Sequence, residues 1–134
     1  MTNALQARTA YTRESVLSAT PAQLVVMLYD RLVLDMQRAE AAQLAEEWID
    51  AHGHLMHAQD IITELQLTLR MDVWDGADRL FAIYVYVKNA LAAANLNRDV
   101  ERTREALRLM TPLRESWTQA ALSLQTSGSE RGVA

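Results

Sequence analysis

The chain has 134 residues, half of them apolar, with 13 Lys and Arg against 17 Asp and Glu and a formal net charge of −4. That is the size of one ordinary domain with side chains enough for a core. The absence of cysteine excludes a disulfide scaffold, a thiolate zinc site and a cysteine nucleophile. An acidic chain with a single lysine, Lys88, lacks the clustered positive charge that phosphate backbones demand, so no nucleic-acid partner is expected.

Ala and Leu together number 40, Val and Ile only 13. β-Branched side chains lose rotamer freedom in helices and suit strands, so this ratio favours helix. Residues 1–20 hold Gln6, Arg8, Thr9, Thr12, Arg13 and Glu14, which interrupt any signal-peptide core. No window approaches the roughly 18 uninterrupted apolar residues of a membrane span. A cytosolic location without membrane insertion is therefore expected. Between Pro21 and Pro112 the only glycines are Gly53 and Gly76. A β fold would need turn residues every 8–12 positions, so the fold class is all-α.

The first predicted helix spans 20–46. Thr20 is an N-cap, Pro21 occupies a position where a missing N–H is harmless, and Gln23 completes a capping box. Its apolar face collects Leu24, Val25, Leu28, Tyr29, Leu32, Met36 and Ala39. The second helix, 48–69, carries Ala51, Leu55, Ala58, Ile62, Leu65 and Leu69 at alternating steps of four and three, a bundle seam. The third, 75–94, repeats the spacing in Leu80, Tyr84, Val87, Leu91 and Ala94. It exits through Asn95-Leu96-Asn97, where asparagine is expected in the left-handed position. The fourth, 98–125, has Asp99 and Glu101 near its positive dipole end and a seam of Val100, Thr103, Leu107, Met110, Leu113 or Arg114, Trp117, Ala121 and Leu124. Pro112 is expected to kink it. Short connections make the helices antiparallel. The expected architecture is a four-helix bundle over 20–125, with an N-terminal arm at 1–19 and a flexible tail at 126–134.

Sites for chemistry are sparse. His52, His54 and His57 raise a metal site, with His54 and His57 on one face, but no Glu-x-x-His pair accompanies them, and solvated or capping roles suffice. Asp30, Asp35, Asp60, Glu64, Asp75, Asp78, Asp99 and Glu101 are spread over four helices without a Ser-His-Asp order or a phosphate loop. No catalytic residue, metal ligand or cofactor is assigned. The more informative feature is apolar surplus beyond the seams: Val26, Met27, Val33 and Leu34 on the first helix, Met56, Ile61 and Leu67 on the second, and Phe81, Val85, Ala90, Ala92 and Ala93 on the third. Such residues either widen the core or form a groove for an amphipathic helix or a dimer seam. Tyr11, the lone aromatic of a polar arm, either packs locally or plugs such a groove.

A series of short motifs then acquires meaning as a set. Ala10-Tyr11 and Val16 are followed by Ser18-Ala19-Thr20-Pro21-Ala22-Gln23-Leu24 and Met27-Leu28-Tyr29-Asp30. The second helix carries Ala58-Gln59-Asp60-Ile61-Ile62-Thr63-Glu64-Leu65 and the third Ile83-Tyr84-Val85-Tyr86-Val87. Ala94-Asn95-Leu96-Asn97-Arg98-Asp99 and Leu113-Arg114-Glu115-Ser116-Trp117 complete it. In this order and spacing, over residues 10–125, the chain resembles the flagellar export chaperones of the FliS type. It departs from their pattern at Arg31-Leu32, where they carry Gly-Ala, at Val73-Trp74, where they carry Gly-Gly, and at Pro112.

The resemblance implies a cytosolic helical bundle without catalytic activity or cofactor. It implies binding of the disordered C-terminal segment of flagellin, prevention of premature polymerisation, and delivery to the type III export gate. It also implies an N-terminal arm that covers part of the binding surface. Combined with the apolar surplus, it predicts partner-binding residues Val26, Met27, Ile61, Phe81, Tyr84 and Val85, and a lid carrying Tyr11 and Val16. Asn95 and Asp99 match a family motif, with helix capping as the alternative role. A homodimeric bundle, or a metal-binding bundle without a flagellin client, are the competing expectations.

Overall fold

The computed structural model describes residues 6–7, 19–70 and 75–133. Among them four helices follow one another: α1 Pro21–Leu44, α2 Trp48–Thr68, α3 Ala77–Leu96 and α4 Val100–Val133. Each helix packs against its two chain neighbours, and α4 closes the ring on α1. The chain therefore runs around a square, with α1 and α3 on one diagonal. The expected arm and its residues Tyr11 and Val16 lie outside the described residues, as do residues 71–74 of the α2–α3 connection.

The local signals act as expected at the first boundary. The Thr20 hydroxyl accepts from the Gln23 N–H at 3.2 Å, and the Gln23 side chain accepts from the Thr20 N–H at 2.9 Å. The connections α1–α2 and α3–α4 are alike. Each helix ends on a left-handed residue, Glu46 at φ 56° and Arg98 at φ 52°. In each, an N–H reaches back five residues, from Glu47 to the Ala42 carbonyl at 2.8 Å and from Asp99 to the Ala94 carbonyl at 3.0 Å. This is the Schellman closure, which satisfies carbonyls the helix end would otherwise orphan. The left-handed position at the end of α3 is taken by Arg98, not by an asparagine, because the closure fixes it one residue beyond Asn97. The Asp99 carboxylate then accepts from the Glu101 N–H at 3.0 Å and caps α4.

The fourth helix differs from expectation in length. It is uninterrupted at Pro112 and passes residue 125 to reach Val133. Pro112 is exposed, so its missing N–H and ring fall on the solvent side of the helix. At about 1.5 Å per residue, the 34 residues of α4 outreach the 24 of α1 by roughly 15 Å.

The seams meet in one core. Tyr29, Leu32, Met36, Leu55, Ile62, Leu65, Val87, Leu91 and Met110 are nearly or wholly inaccessible. Burying each such side chain is worth about 1.5–3 kcal/mol before entropy is charged. Three polar contacts cross this interior. The Tyr29 and Tyr84 hydroxyls share a 2.7 Å hydrogen bond across the diagonal, and the Tyr29 ring also lies against Trp117. At the other end the Gln43 amide donates to the Ala94 carbonyl at 3.3 Å and accepts from the Thr103 hydroxyl at 2.6 Å. Between them, the buried Asp35 carboxylate is held by Arg31 Nε at 3.1 Å and by His57 Nδ1. Among the described residues no buried side-chain nitrogen or oxygen lacks a partner. Arg31, one of the departures from the family pattern, is half exposed and folds back onto Asp35, so it needs no room between helices.

Candidate functional site

The outer side of α3 is unlike that of the other helices. From Leu80 to Asn97 its only charged residue is Lys88. Phe81, Val85 and Leu96 are exposed at 38%, 40% and 84%, and Ala82, Tyr86, Asn89 and Ala92 are exposed beside them. Steps of four, seven and four place Phe81, Val85, Ala92 and Leu96 along one side of the helix. That side borders α2, because Lys88 Nζ donates to the Thr63 hydroxyl at 2.7 Å and Asn95 Nδ2 meets His52 Nδ1 at 2.8 Å. Tyr86 leans the other way and donates to Glu105 on α4 at 2.8 Å.

The facing wall on α2 is His52, Met56, Gln59 and Thr63, again at helical spacing and without a carboxylate. Between the two walls, toward the end of α3, lies a groove of about 450 Å³ lined by Trp48, Ala51, His52, Met56, Gln59, Ala92, Asn95, Leu96 and Arg98. The Arg98 guanidinium closes that end, 5.0 Å above the Trp48 ring. Exposed apolar stripes of this extent on a small helical protein mark places where another chain docks. Two further apolar concavities lie toward the opposite end. One, about 270 Å³, is lined by Val25, Leu65, Leu69, Tyr84 and Trp117, and the other lies between the start of α1 and Ala121 and Leu124 of α4.

The expected partner-binding residues separate into groups. Phe81 and Val85 lie on the exposed side of α3. Val26 and Met27 are half-buried on α1, on a different helix and not beside the α2–α3 groove's lining residues. Ile61 and Tyr84 are buried in the core, at 6% and 2% exposure. Burial raises the pKa of both the Tyr29 and the Tyr84 hydroxyls above the ordinary 10.0, so this pair is neutral and structural in the folded chain. Asn95 does not cap a helix; its amide meets His52 in the groove. Asp99 does cap α4. The histidines diverge, His57 to Asp35 and His52 to Asn95. Among the described residues no three His, Cys, Asp or Glu side chains come together as metal ligands.

Sequence reasoning placed Met56 and Ala92 in the apolar surplus without assigning them to the groove, and missed Trp48, Leu96 and Arg98. A readable signal existed for α3, since a single charge in eighteen consecutive residues leaves no polar stripe to face water. For Trp48 and Arg98 there was none, because they meet only once both turns are formed.

The family model described as flagellar protein FliS matches residues 1–124. The flagellar secretion chaperone FliS of Bacillus subtilis (strain 168) is 33% identical over 115 residues, covering 86% of each chain. Its counterpart from Escherichia coli (strain K12) is 31% identical over 111 residues, covering 81% of this chain and 82% of that one. In fold the chain is similar to a bacterial flagellar chaperone whose crystal structure superposes with a TM-score of 0.70 at 19% identity, over 89% of this chain and 98% of that one. With a bundle of the expected class, a family model matching residues 1–124 and relatives at this level over most of their length, the chain belongs to the FliS family of flagellar secretion chaperones, which are not enzymes.

Proposed function

We propose that this protein binds the C-terminal segment of flagellin in the cytosol, keeps it from polymerising, and hands it to the flagellar type III export gate. The observation that carries the reading is the α2–α3 groove with the outer side of α3, apolar but for Lys88. A segment that is disordered when free and amphipathic when helical gains from apolar burial what it loses in ordering entropy. A helix laid along Phe81, Val85, Met56 and Leu96 removes those side chains from water without disturbing the core beneath. No helix among the described residues is long and apolar enough to cross a membrane.

Phe81 and Val85 are assigned direct contact with the client, and Asn95 a polar contact in the groove at the end of α3. Ile61 and Tyr84 support that surface from below. Val26 and Met27 extend the contact to α1, Tyr11 and Val16 form the lid, and Asp99 holds the turn that presents Arg98. Titration calorimetry with the C-terminal segment of flagellin from the same genome tests the reading. Binding near 1:1 with a negative heat-capacity change is expected. The pair of substitutions Phe81→Asp and Val85→Asp should abolish it while the melting curve stays cooperative. A double variant that binds like the parent moves the client off this face. A concentration-dependent mass with no binding of the segment would assign the face to a second copy instead.

A further inference from the structure

The groove carries a charge pattern as well as an apolar one. Its two flanking cations, Lys88 and Arg98, take part in no ion pair among the described residues: Lys88 Nζ rests on the Thr63 hydroxyl and Arg98 on the Trp48 ring. Among the described residues the ion-paired arginines are Arg31, Arg102 and Arg104, matched with Asp35, Glu105, and Glu40 and Glu101; Arg38, Arg70, Arg79, Arg108 and Arg114 also form no ion pair, so what marks Lys88 and Arg98 is their place beside the groove. No Asp or Glu lines the groove at the end of α3, although the chain has more acids than bases. Lys88 lies eight residues, about 12 Å of helical rise, before Leu96 at the end of α3, and Arg98 follows two residues later in the left-handed turn, so Ala92 and Leu96 lie between the two cations in the chain.

Resting on the proposed function, we infer that this groove selects an apolar helical segment that bears side-chain carboxylates at both ends of its apolar stripe, one for Lys88 and one for Arg98. Lys88 is half-buried and Arg98 exposed; a docking helix that covers the trough takes water from both, and an anion delivered with it offsets that desolvation, which an uncharged helix cannot do. The apolar stripe supplies affinity, and the cations set where along the groove the segment stops. An uncharged helix of equal hydropathy would bind in several positions, because the walls offer it no other landmark.

The test uses the full chain and the C-terminal segment of flagellin from the same genome, labelled for fluorescence anisotropy, at 50 and 500 mM NaCl. Lys88→Gln and Arg98→Gln should each weaken binding about threefold at low salt, and the two together about tenfold. The double variant should lose most of the salt dependence that the parent shows. Arg108→Gln, on the exposed side of α4, should leave affinity unchanged, and circular dichroism should report the same helix content for all. An unchanged affinity in the double variant overturns the inference while the client reading stands. A loss equal at both salt concentrations overturns it in favour of packing by the two stems. Equal weakening from amidating the peptide's C-terminus, absent in the Arg98→Gln variant, places the anion on the terminal carboxylate and also overturns it. Failure of the parent to bind at all removes the proposed function and this inference together.

Discussion

Replacing Tyr84 by Phe deletes one oxygen from the interior and leaves the Tyr29 hydroxyl, wholly inaccessible, without the partner it meets at 2.7 Å. An unpaired buried hydroxyl carries its full desolvation penalty, about 1–3 kcal/mol. Tyr29→Phe is equivalent with the roles exchanged. Making both substitutions removes both hydroxyls together and forfeits the net worth of their hydrogen bond, about 0.5–1.5 kcal/mol, with the weaker contact of the Tyr29 hydroxyl to Trp117. The two single changes should therefore sum to about 2–6 kcal/mol while the double change costs about 1. With an unfolding entropy of about 2.1 cal/mol/K per residue, a chain this long loses roughly 3–4 °C of Tm per kcal/mol. Each single variant should melt roughly 4–11 °C low, and the double variant should recover most of that. Thermal unfolding of the four proteins, followed by circular dichroism, measures the cycle. A double variant as unstable as the sum of the singles would show that the hydroxyls act independently, and the account of the diagonal bond would fail. Flagellin affinity well below the melting range should be the same in Tyr84→Phe as in the parent, since the ring stays in the core.

Three further expectations follow from residues already placed. Glu46→Gly should raise stability by about 0.5–1 kcal/mol, because a left-handed residue with a Cβ costs about 1–2 kcal/mol and glycine's entropy returns only part of that. Arg98→Gly should gain close to nothing, since it also loses the Trp48 stack, worth about 0.5–1 kcal/mol; urea melts in which both glycines stabilise equally would refute the stack. At high pH both interior tyrosines ionise at 10.0 in the unfolded chain but resist ionising in the fold, where burial holds their pKa higher. Stability should therefore be complete below pH 10 and fall beyond it by up to about 1.4 kcal/mol per pH unit for each tyrosine. The Tyr29→Phe, Tyr84→Phe double variant should show a flatter decline over pH 9–11, and an unchanged slope would contradict the assignment. Ile61→Glu buries an unpaired charge and should cost more than about 3 kcal/mol, whereas Phe81→Glu, already 38% exposed, should cost about 1 kcal/mol or less. A Tm for Ile61→Glu near that of the parent would place Ile61 on the surface.

The parts of this protein that could be read from its sequence are those governed by near neighbours. The spacing of Leu55, Ala58, Ile62 and Leu65 and the capping box at Thr20 and Gln23 depend only on residues within a turn or two, and they lie where expected. The apolar surplus was visible but not its division. Val33, Ile61 and Ala90 complete the core, whereas Leu34, Met56, Leu67, Phe81 and Val85 face outward. A helix in a ring of four meets two neighbours and buries a face wider than one seam, and only the rotation of each helix decides which flank is covered. That rotation is set by non-local contacts such as Tyr29 with Tyr84 and Gln43 with Ala94 and Thr103. The run of α4 beyond residue 125 was hidden for a different reason. Ser and Gly weaken a helix by about 1 kcal/mol or less each and do not end one that is already formed.

The polar contacts across the interior restrict sliding. A seam of Leu and Ala repeating every seven residues is nearly indifferent to a shift of one heptad, about 10 Å, since each apolar residue meets another of its kind. The Tyr29–Tyr84 bond near one end and the Gln43 contacts with Ala94 and Thr103 at the other remove that indifference. A shifted α3 would strand three buried polar groups at once, the two tyrosine hydroxyls and the Gln43 amide nitrogen, several kcal/mol by the same desolvation penalty. The bundle therefore has one phase. A protein that must keep an oily side open for another chain's helix has a particular need of it, because the nearest helix able to occupy that side wrongly is one of its own.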